Sequence, residues 1–167
     1  MSSPSANSPG SGGDRNGYEV NPGNAYSDDG IYAVDLNSGT NTNNNCTNTG
    51  KDSHTYYNYN FSIPPGTSVR GIEVRLDAKV ESTSNSPRIC VQLSWNGGVT
   101  WTTPKSTVNL STVELTYFLG NSNDLWGRTW SANDFTNANF RLRVIDVARS
   151  TARDFSLDWI AVRLYFQ

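Results

Sequence analysis

The sequence predicts an all-β protein, a single antiparallel β-sandwich of jelly-roll type with a flexible N-terminal arm. Its 167 residues suffice for one domain core and are few for two. Several short segments alternate apolar with polar residues and are separated by turn residues. Only 17% of the residues are charged, whereas Asn, Ser, Thr, Gly and aromatic residues are abundant. Such a composition is typical of β proteins and unlike that of solvated helical bundles.

The clearest strand runs from Gly71 to Glu81, where every second residue is apolar. This period of two predicts that one face is buried and that the charged face is exposed. A turn at Pro64-Pro65-Gly66 precedes it, and Asn96-Gly97-Gly98 predicts a hairpin between two further strands. The inward residues of the clearest strand are Ile72, Val74, Leu76, Ala78 and Val80, and the other predicted strands are 30–36, 56–61, 88–95, 99–103, 115–119, 140–147 and 155–166.

The chain divides into a flexible arm or linker, residues 1–17, and a sandwich domain, residues 18–167. The arm is Ser, Pro, Gly and Asn without apolar periodicity, and such a segment buries too little surface to offset its ordering entropy. It also lacks the apolar stretch of a secretory signal. A second polar tract, Asn37 to Ser53, predicts a long exposed loop.

Two cysteines, Cys46 and Cys90, leave two alternatives open. They form one disulfide in an oxidising compartment, or they are two unrelated thiols, because the sequence does not place their Cα atoms within bonding reach.

Charge and hydropathy exclude several classes of function. Thirteen basic residues face fifteen acidic ones, the net charge is -2, and no basic run is present, which argues against nucleic-acid binding. No apolar stretch is long enough to insert into a membrane. His54 is the single histidine, and no serine or cysteine motif accompanies it. The acidic residues that could form a catalytic pair fall in a turn, as Asp28 and Asp29 do, or on the outward face of a strand beside Arg and Lys, as Glu73, Asp77 and Glu81 do. The sequence therefore predicts a protein that is not an enzyme.

Calcium is the one cofactor for which the sequence offers candidate ligands. Asp28, Asp29 and Asp35 lie close together along the chain, and sandwich loops hold calcium with carboxylate and carbonyl oxygens. The alternative is ordinary turn chemistry, in which aspartates accept hydrogen bonds from nearby backbone amides.

Aromatic residues are the strongest positive signal for ligand binding. Trp and Tyr rings bind the apolar faces of sugars, with polar groups beside them for the hydroxyls. Trp126, Arg128 and Trp130 fall in one polar-flanked loop, and Tyr57 lies on a strand whose tyrosines occupy both faces. We therefore expect these four residues to bind a glycan; the alternative is that the tryptophans pack in the core.

Several segments carry a resemblance to known β modules. Ser94 to Trp101 resembles an Asp-box hairpin in which Asn96 replaces the aspartate and the Trp packs beneath. The chain as a whole resembles a carbohydrate-binding-module-like sandwich that recurs in bacterial surface proteins and phage structural proteins. The resemblance implies a sandwich on a cell or virion surface and assigns no catalytic residue. The stretches that carry it are 21–30, 61–66, 71–74, 94–101, 126–130 and 157–162.

Two functions from different classes follow. The first is a non-catalytic surface module that binds a glycan or cell-surface polysaccharide. The second is a structural subunit of a phage particle or surface assembly, with other copies or capsid and tail proteins as partners and an arm that orders on a neighbouring subunit. Both place the protein outside the cell, on its surface, or on a virion.

Overall fold

The computed structural model describes residues 1–10 and 17–167, and in these residues two antiparallel sheets enclose one hydrophobic core. The sheet orders are β1-β3-β8-β5-β6 and β2-β9-β4-β7. The predicted all-β sandwich is confirmed; its jelly-roll type stays a prediction. The strands are β1 Ala6–Pro9, β2 Ala33–Asp35, β3 Ser53–Tyr57, β4 Val69–Val80, β5 Arg88–Ser94, β6 Lys105–Ser106, β7 Leu115–Asn121, β8 Arg141–Val147 and β9 Phe155–Phe166.

The core is built as the alternation in β4 predicted. All five inward residues of this strand are at most 1% exposed, from Ile72 at 0% to Val80 at 1%. β4 lies between β9 and β7 in its sheet, and its inward face meets residues such as Leu142 and Val144 from β8 of the other sheet in one cluster. Burial of these side chains is the main stabilising contribution to the sandwich.

Two predicted strands differ from the structure for local reasons. The segment 56–61 contributes only its first two residues to β3, because Asn58 and Asn60 adopt left-handed backbone angles, φ 60° and 52°, that end an extended strand. The segment 99–103 is not a strand. Instead, the Thr102 amide donates to the Leu93 carbonyl, and the Thr102 hydroxyl accepts a hydrogen bond from the Leu93 amide. Regular strand pairing with β5 resumes only at β6.

The N-terminal segment is the main correction to the predicted organisation. Residues 1–10, expected to be a flexible arm, lie on the sandwich, where β1 pairs with β3 and Ser2 pairs with Val162 of β9. Strand pairing uses backbone groups and needs no apolar side chains, so the composition did not reveal it. The assembly hypothesis relied on an arm that orders on a neighbouring subunit, whereas Ser2 and residues 6–9 pair with strands of their own chain. Residues 11–16 of the predicted arm lie outside the described residues.

The long polar loop before β3 is held by its own side chains and by a disulfide. Asn41, Asn43 and Asn45 each accept a hydrogen bond from the amide two residues further on, at 2.8 to 3.0 Å. Cys46 is bonded to Cys90 of β5, with the Cα atoms 5.8 Å apart. The loop is therefore fastened to the five-stranded sheet.

Helical structure in the described residues is limited to two four-residue 3₁₀ turns, Pro22–Ala25 and Ala132–Phe135. The second carries a capping interaction, since the Ser131 amide donates to the Asp134 carboxylate at 2.8 Å. No helix in residues 1–10 and 17–167 has the length and apolarity needed to cross a membrane.

Candidate functional site

The outward face of the five-stranded sheet carries a groove whose floor is formed by β3, β8 and β5. Successive outward residues of β8 are Arg141 and Arg143, which stand beside Tyr57 and Thr55 of β3 in the antiparallel register. On the other side of β8, Gln92 of β5 stands opposite Arg143. Each row across the floor therefore has an arginine at its centre.

Both arginines lie over aromatic rings. The guanidinium carbon of Arg141 is 4.5 Å from the centre of the Tyr57 ring, and that of Arg143 is 4.1 Å from the centre of the Trp101 ring. Trp101 comes from the loop after β5, and both rings are partly exposed. Stacking of this kind stabilises a guanidinium while leaving its N–H bonds, which lie in its own plane, free to bind other groups.

Hydrogen bonds fix the orientation of Arg143 and its neighbours. Its Nη2 donates to the Gln92 side-chain oxygen at 2.6 Å, and the Gln92 amide donates in turn to the Thr102 carbonyl at 2.8 Å. The Arg143 Nε–H is buried and has no hydrogen-bond acceptor among residues 1–10 and 17–167. Burial lowers the pKa of the Arg143 guanidinium, since it loses water that would solvate its charge.

The walls of the groove are low because small residues form them. One side is the end of β1, Ser8 to Gly10, and the other is the hairpin pair Gly97 and Gly98, which enclose about 270 Å³ together with the floor. Both hairpin glycines have positive φ, 74° and 94°, which a residue with a side chain rarely adopts.

A second depression of about 220 Å³ continues the groove along the sheet. It shares Ser53 and Arg143 with the first, and the disulfide-fastened residues 46–49 form its far wall. We call the two depressions together the outer groove.

The predicted tryptophans lie elsewhere and are buried. Trp126 is 4% exposed and its indole N–H donates to the Ile72 carbonyl at 3.0 Å, while Trp130 is 8% exposed and donates to the Leu125 carbonyl at 2.8 Å. The expectation that these two rings are available to a ligand is wrong. The backbone at 126 and 127 turns through positive φ, 54° and 79°, and directs the rings into the core.

Arg128 is part of the same packed cluster. Its guanidinium lies 4.0 Å from the Trp95 ring centre and 4.5 Å from that of Trp130, and it forms an ion pair with Asp134 at 3.2 Å. Its contacts are therefore with the packed rings and not with a ligand site. Of the four predicted binding residues, only Tyr57 lies beside the outer groove, where its ring contacts Arg141, and it is not among the residues that line the two depressions.

The outer groove contains residues that sequence reasoning missed. Trp101 was expected to pack beneath its hairpin; it is partly exposed and stacked against Arg143. The outward position of Arg141 and Arg143 follows from the alternation in β8, but their aromatic partners lie on other strands and loops. No local pattern connects residues so far apart in the chain.

The three candidate calcium ligands have separate partners. Asp28 forms an ion pair with Arg75 at 3.1 Å, and Asp29 accepts the Ile31 amide at 3.0 Å, as turn aspartates do. Asp35 is fully buried and interacts with Asp146 instead. Among the described residues, no group of three His, Cys, Asp or Glu side chains is arranged to hold a metal ion.

Asp35 and Asp146 form a buried carboxyl pair at one end of the sandwich, and both are fully inaccessible. The Tyr18 hydroxyl donates to Asp146 at 3.1 Å, and Asp52 and Glu19 add negative charge nearby. Burial raises the pKa of Asp35 well above its ordinary value and that of Asp146 to about 8. Both shifts favour the protonated form of the pair.

His54 is 2% exposed, and both of its ring nitrogens have partners. Nδ1 lies 2.6 Å from the Gly17 carbonyl and Nε2 lies 2.8 Å from the Asn7 side-chain oxygen. The single histidine thus joins β3 to the N-terminal segment.

No protein-family model matches the chain, and no curated protein does. Among solved structures, the chain is similar to the CBM22-1-GH10 modules of the N-terminal endo-1,4-beta-D-xylanase 10B of Clostridium thermocellum, complexed with xylohexaose. The identity is 9% and the TM-score 0.35, and the match covers 78% of this chain and 24% of the xylanase chain. A likeness at this level does not assign a ligand to the outer groove.

Proposed function

We propose that the protein is a non-catalytic glycan-binding module and that the outer groove is its binding site. The observation that carries this proposal is the lining of the groove, where Trp101 presents a partly exposed ring beside two arginines and a glutamine, and Tyr57 borders the groove against Arg141. Rings of this kind bind the apolar faces of sugars, and the N–H donors beside them bind hydroxyl groups.

The form of the groove also supports an extended ligand. It is open at the surface, it runs across three strands, and its walls are low. An oligosaccharide chain fits such a shape better than a compact metabolite does, since compact ligands are usually enclosed. We expect micromolar to millimolar affinity, because few groups anchor the ligand.

The Cys46–Cys90 disulfide supports a location outside the cell or on its surface. Disulfides persist in oxidising compartments and are rare in the cytosol. A glycan-binding module in that compartment has access to cell-surface polysaccharides.

The test compares two aromatic residues on opposite faces of the sandwich, Trp101 in the outer groove and Phe118 on the outward face of β7. After a glycan array has identified a ligand, calorimetry measures its binding to Trp101→Ala and to Phe118→Ala, whose ring is 56% exposed on β7 of the other sheet. We expect Trp101→Ala to lose about 1 to 3 kcal/mol of binding free energy and Phe118→Ala to bind as the unmodified protein does. An array without any bound glycan, or equal losses in both variants, would refute the proposal.

A further inference from the structure

The outer groove differs in charge from the rest of the molecule. The chain has a formal net charge of -2, yet none of the described residues that line the groove is Asp or Glu. Its floor carries two arginines instead. Lys51 also lines one end, but it is 1% exposed and Asp52 follows it in sequence, so this neighbouring pair adds little net charge.

The two floor arginines have no acidic partner in the part of the chain that the structure describes. Five basic residues form ion pairs with carboxylates, and Arg141 and Arg143 are among the described basic residues that form none. Arg141 donates to the carbonyls of residues 137 and 140, and Arg143 donates to the amide oxygen of Gln92. Both positive charges therefore remain uncompensated within the described residues.

The cost of this arrangement is greatest at Arg143. Its Nε–H is buried and finds no acceptor in the described part of the chain, and leaving such a donor unsatisfied next to a charge is unfavourable. A carboxylate that enters the groove accepts hydrogen bonds from the guanidinium edge and also compensates its positive charge. A neutral hydroxyl group does not compensate the charge.

The spacing of the two arginines allows one ligand to reach both. They are two residues apart on the same face of β8, which corresponds to about 7 Å along the strand. The aromatic rings beneath them hold the guanidinium groups in place, so little side-chain entropy is lost when an anion binds.

We propose that the outer groove selects acidic glycans, in which carboxylate groups of the sugar bind Arg143 and Arg141. This inference rests on the proposed function and adds the chemical class of the ligand. Hexuronates and sialic acids both supply the required carboxylate, and the experiment separates them.

The experiment measures binding of matched oligosaccharides by calorimetry at low and moderate ionic strength. The probes are oligogalacturonate, oligomannuronate and oligosialic acid, each compared with its carboxyl-reduced, neutral counterpart, and a sulfated dextran oligomer as a polyanion without carboxylates. We expect at least one acidic probe to bind tenfold or more tightly than its reduced form. The acidic probe with the largest ratio of its affinity to that of its reduced form identifies the hexuronate or the sialate as the natural class.

Two variants connect the preference to the groove. Arg143→Gln should reduce the acidic-to-neutral ratio at least tenfold, while Arg163→Gln, which removes a 50% exposed arginine from the outward face of the other sheet, should leave it unchanged. The melting temperature of each variant shows that the fold is retained. Arg141→Gln provides a second measurement should Arg143→Gln fail to fold.

The outcomes distinguish the inference from the proposed function. Binding of neutral and acidic probes with equal affinity overturns the inference and leaves the module a glycan binder. A preference that Arg143→Gln and Arg141→Gln do not change, or equal binding of the sulfated dextran, also overturns it. Absence of binding to every acidic and neutral probe, joined to a blank glycan array, refutes the proposed function itself.

Discussion

Removal of the Cys46–Cys90 disulfide should destabilise the protein mainly through the unfolded chain. The two cysteines are 44 residues apart, and cross-linking them closes a loop of that length in the denatured state. The chain-entropy relation for such a loop gives about 4 kcal/mol of stabilisation at 25 °C. This is a large part of the stability of a domain of this size.

The suitable variant is Cys46→Ala together with Cys90→Ala. Cys90 is fully buried with Ile145 and Val147, so alanine avoids placing a hydroxyl group in an apolar cluster. Urea unfolding followed by tryptophan fluorescence measures the free energy of unfolding and its dependence on urea. The unmodified protein under reducing conditions is the control, since it lacks the cross-link and keeps the sulfur atoms.

We expect both reduced protein and variant to lose about 3 to 5 kcal/mol and to show a steeper dependence on urea, because the uncrosslinked denatured chain exposes more surface. A loss below about 1 kcal/mol with an unchanged slope would contradict this reasoning. It would mean that the denatured chain is already compact around these residues.

Three other predictions concern the core and its polar groups. Leu76→Ala should lower the free energy of unfolding by about 2 to 5 kcal/mol in the same urea experiment, through lost burial and a cavity. Lys79→Ala removes one contact with a tyrosine ring and should lower it by about 1 kcal/mol or less. The reverse order would show that the outward face is buried against a partner. Because burial raises the pKa of Asp146 from 3.8 to about 8, the folded protein binds more protons than the unfolded chain between these values, and stability should fall as pH rises through that range. Asp35→Asn removes one acid of the pair and should flatten this decline in melting temperature; an equally steep decline would show that the pair does not cause it. Trp126→Phe should lower the free energy of unfolding by about 1 to 3 kcal/mol, since it leaves the buried Ile72 carbonyl without the indole donor, and it should not change ligand binding. A selective loss of binding with normal stability would count against a purely structural role.

The sandwich was predictable because its core strands carry a local signal. Alternation in β4 identifies the inward residues without knowledge of any neighbour, since the period of two belongs to the strand itself. The N-terminal pairing was not predictable in this way. Residues 6–9 contribute backbone hydrogen bonds, which every sequence can form, and their partner β3 lies more than forty residues further along the chain.

The candidate site was harder to predict because aromatic residues serve both core and surface. Trp126 and Trp101 have similar polar neighbours in sequence, yet one donates its indole N–H to a buried carbonyl and the other lies beneath Arg143. The difference depends on contacts between distant segments. A residue type and its neighbours indicate that a tryptophan can bind a sugar, but only the tertiary structure shows which one is accessible.

The position of the N-terminal segment has a consequence for self-association. Without residues 2–9, the free backbone edges of β3 and of β9 near Val162 would offer unpaired N–H and C=O groups to a second molecule, a common route to aggregation. The segment forms hydrogen bonds with the backbone groups of both edges. It is itself a poor edge for pairing with a second molecule, because Pro4 precedes the four-residue β1 and Pro9 ends it. We therefore expect loss of this segment to appear first as concentration-dependent aggregation, at temperatures where the core is still folded.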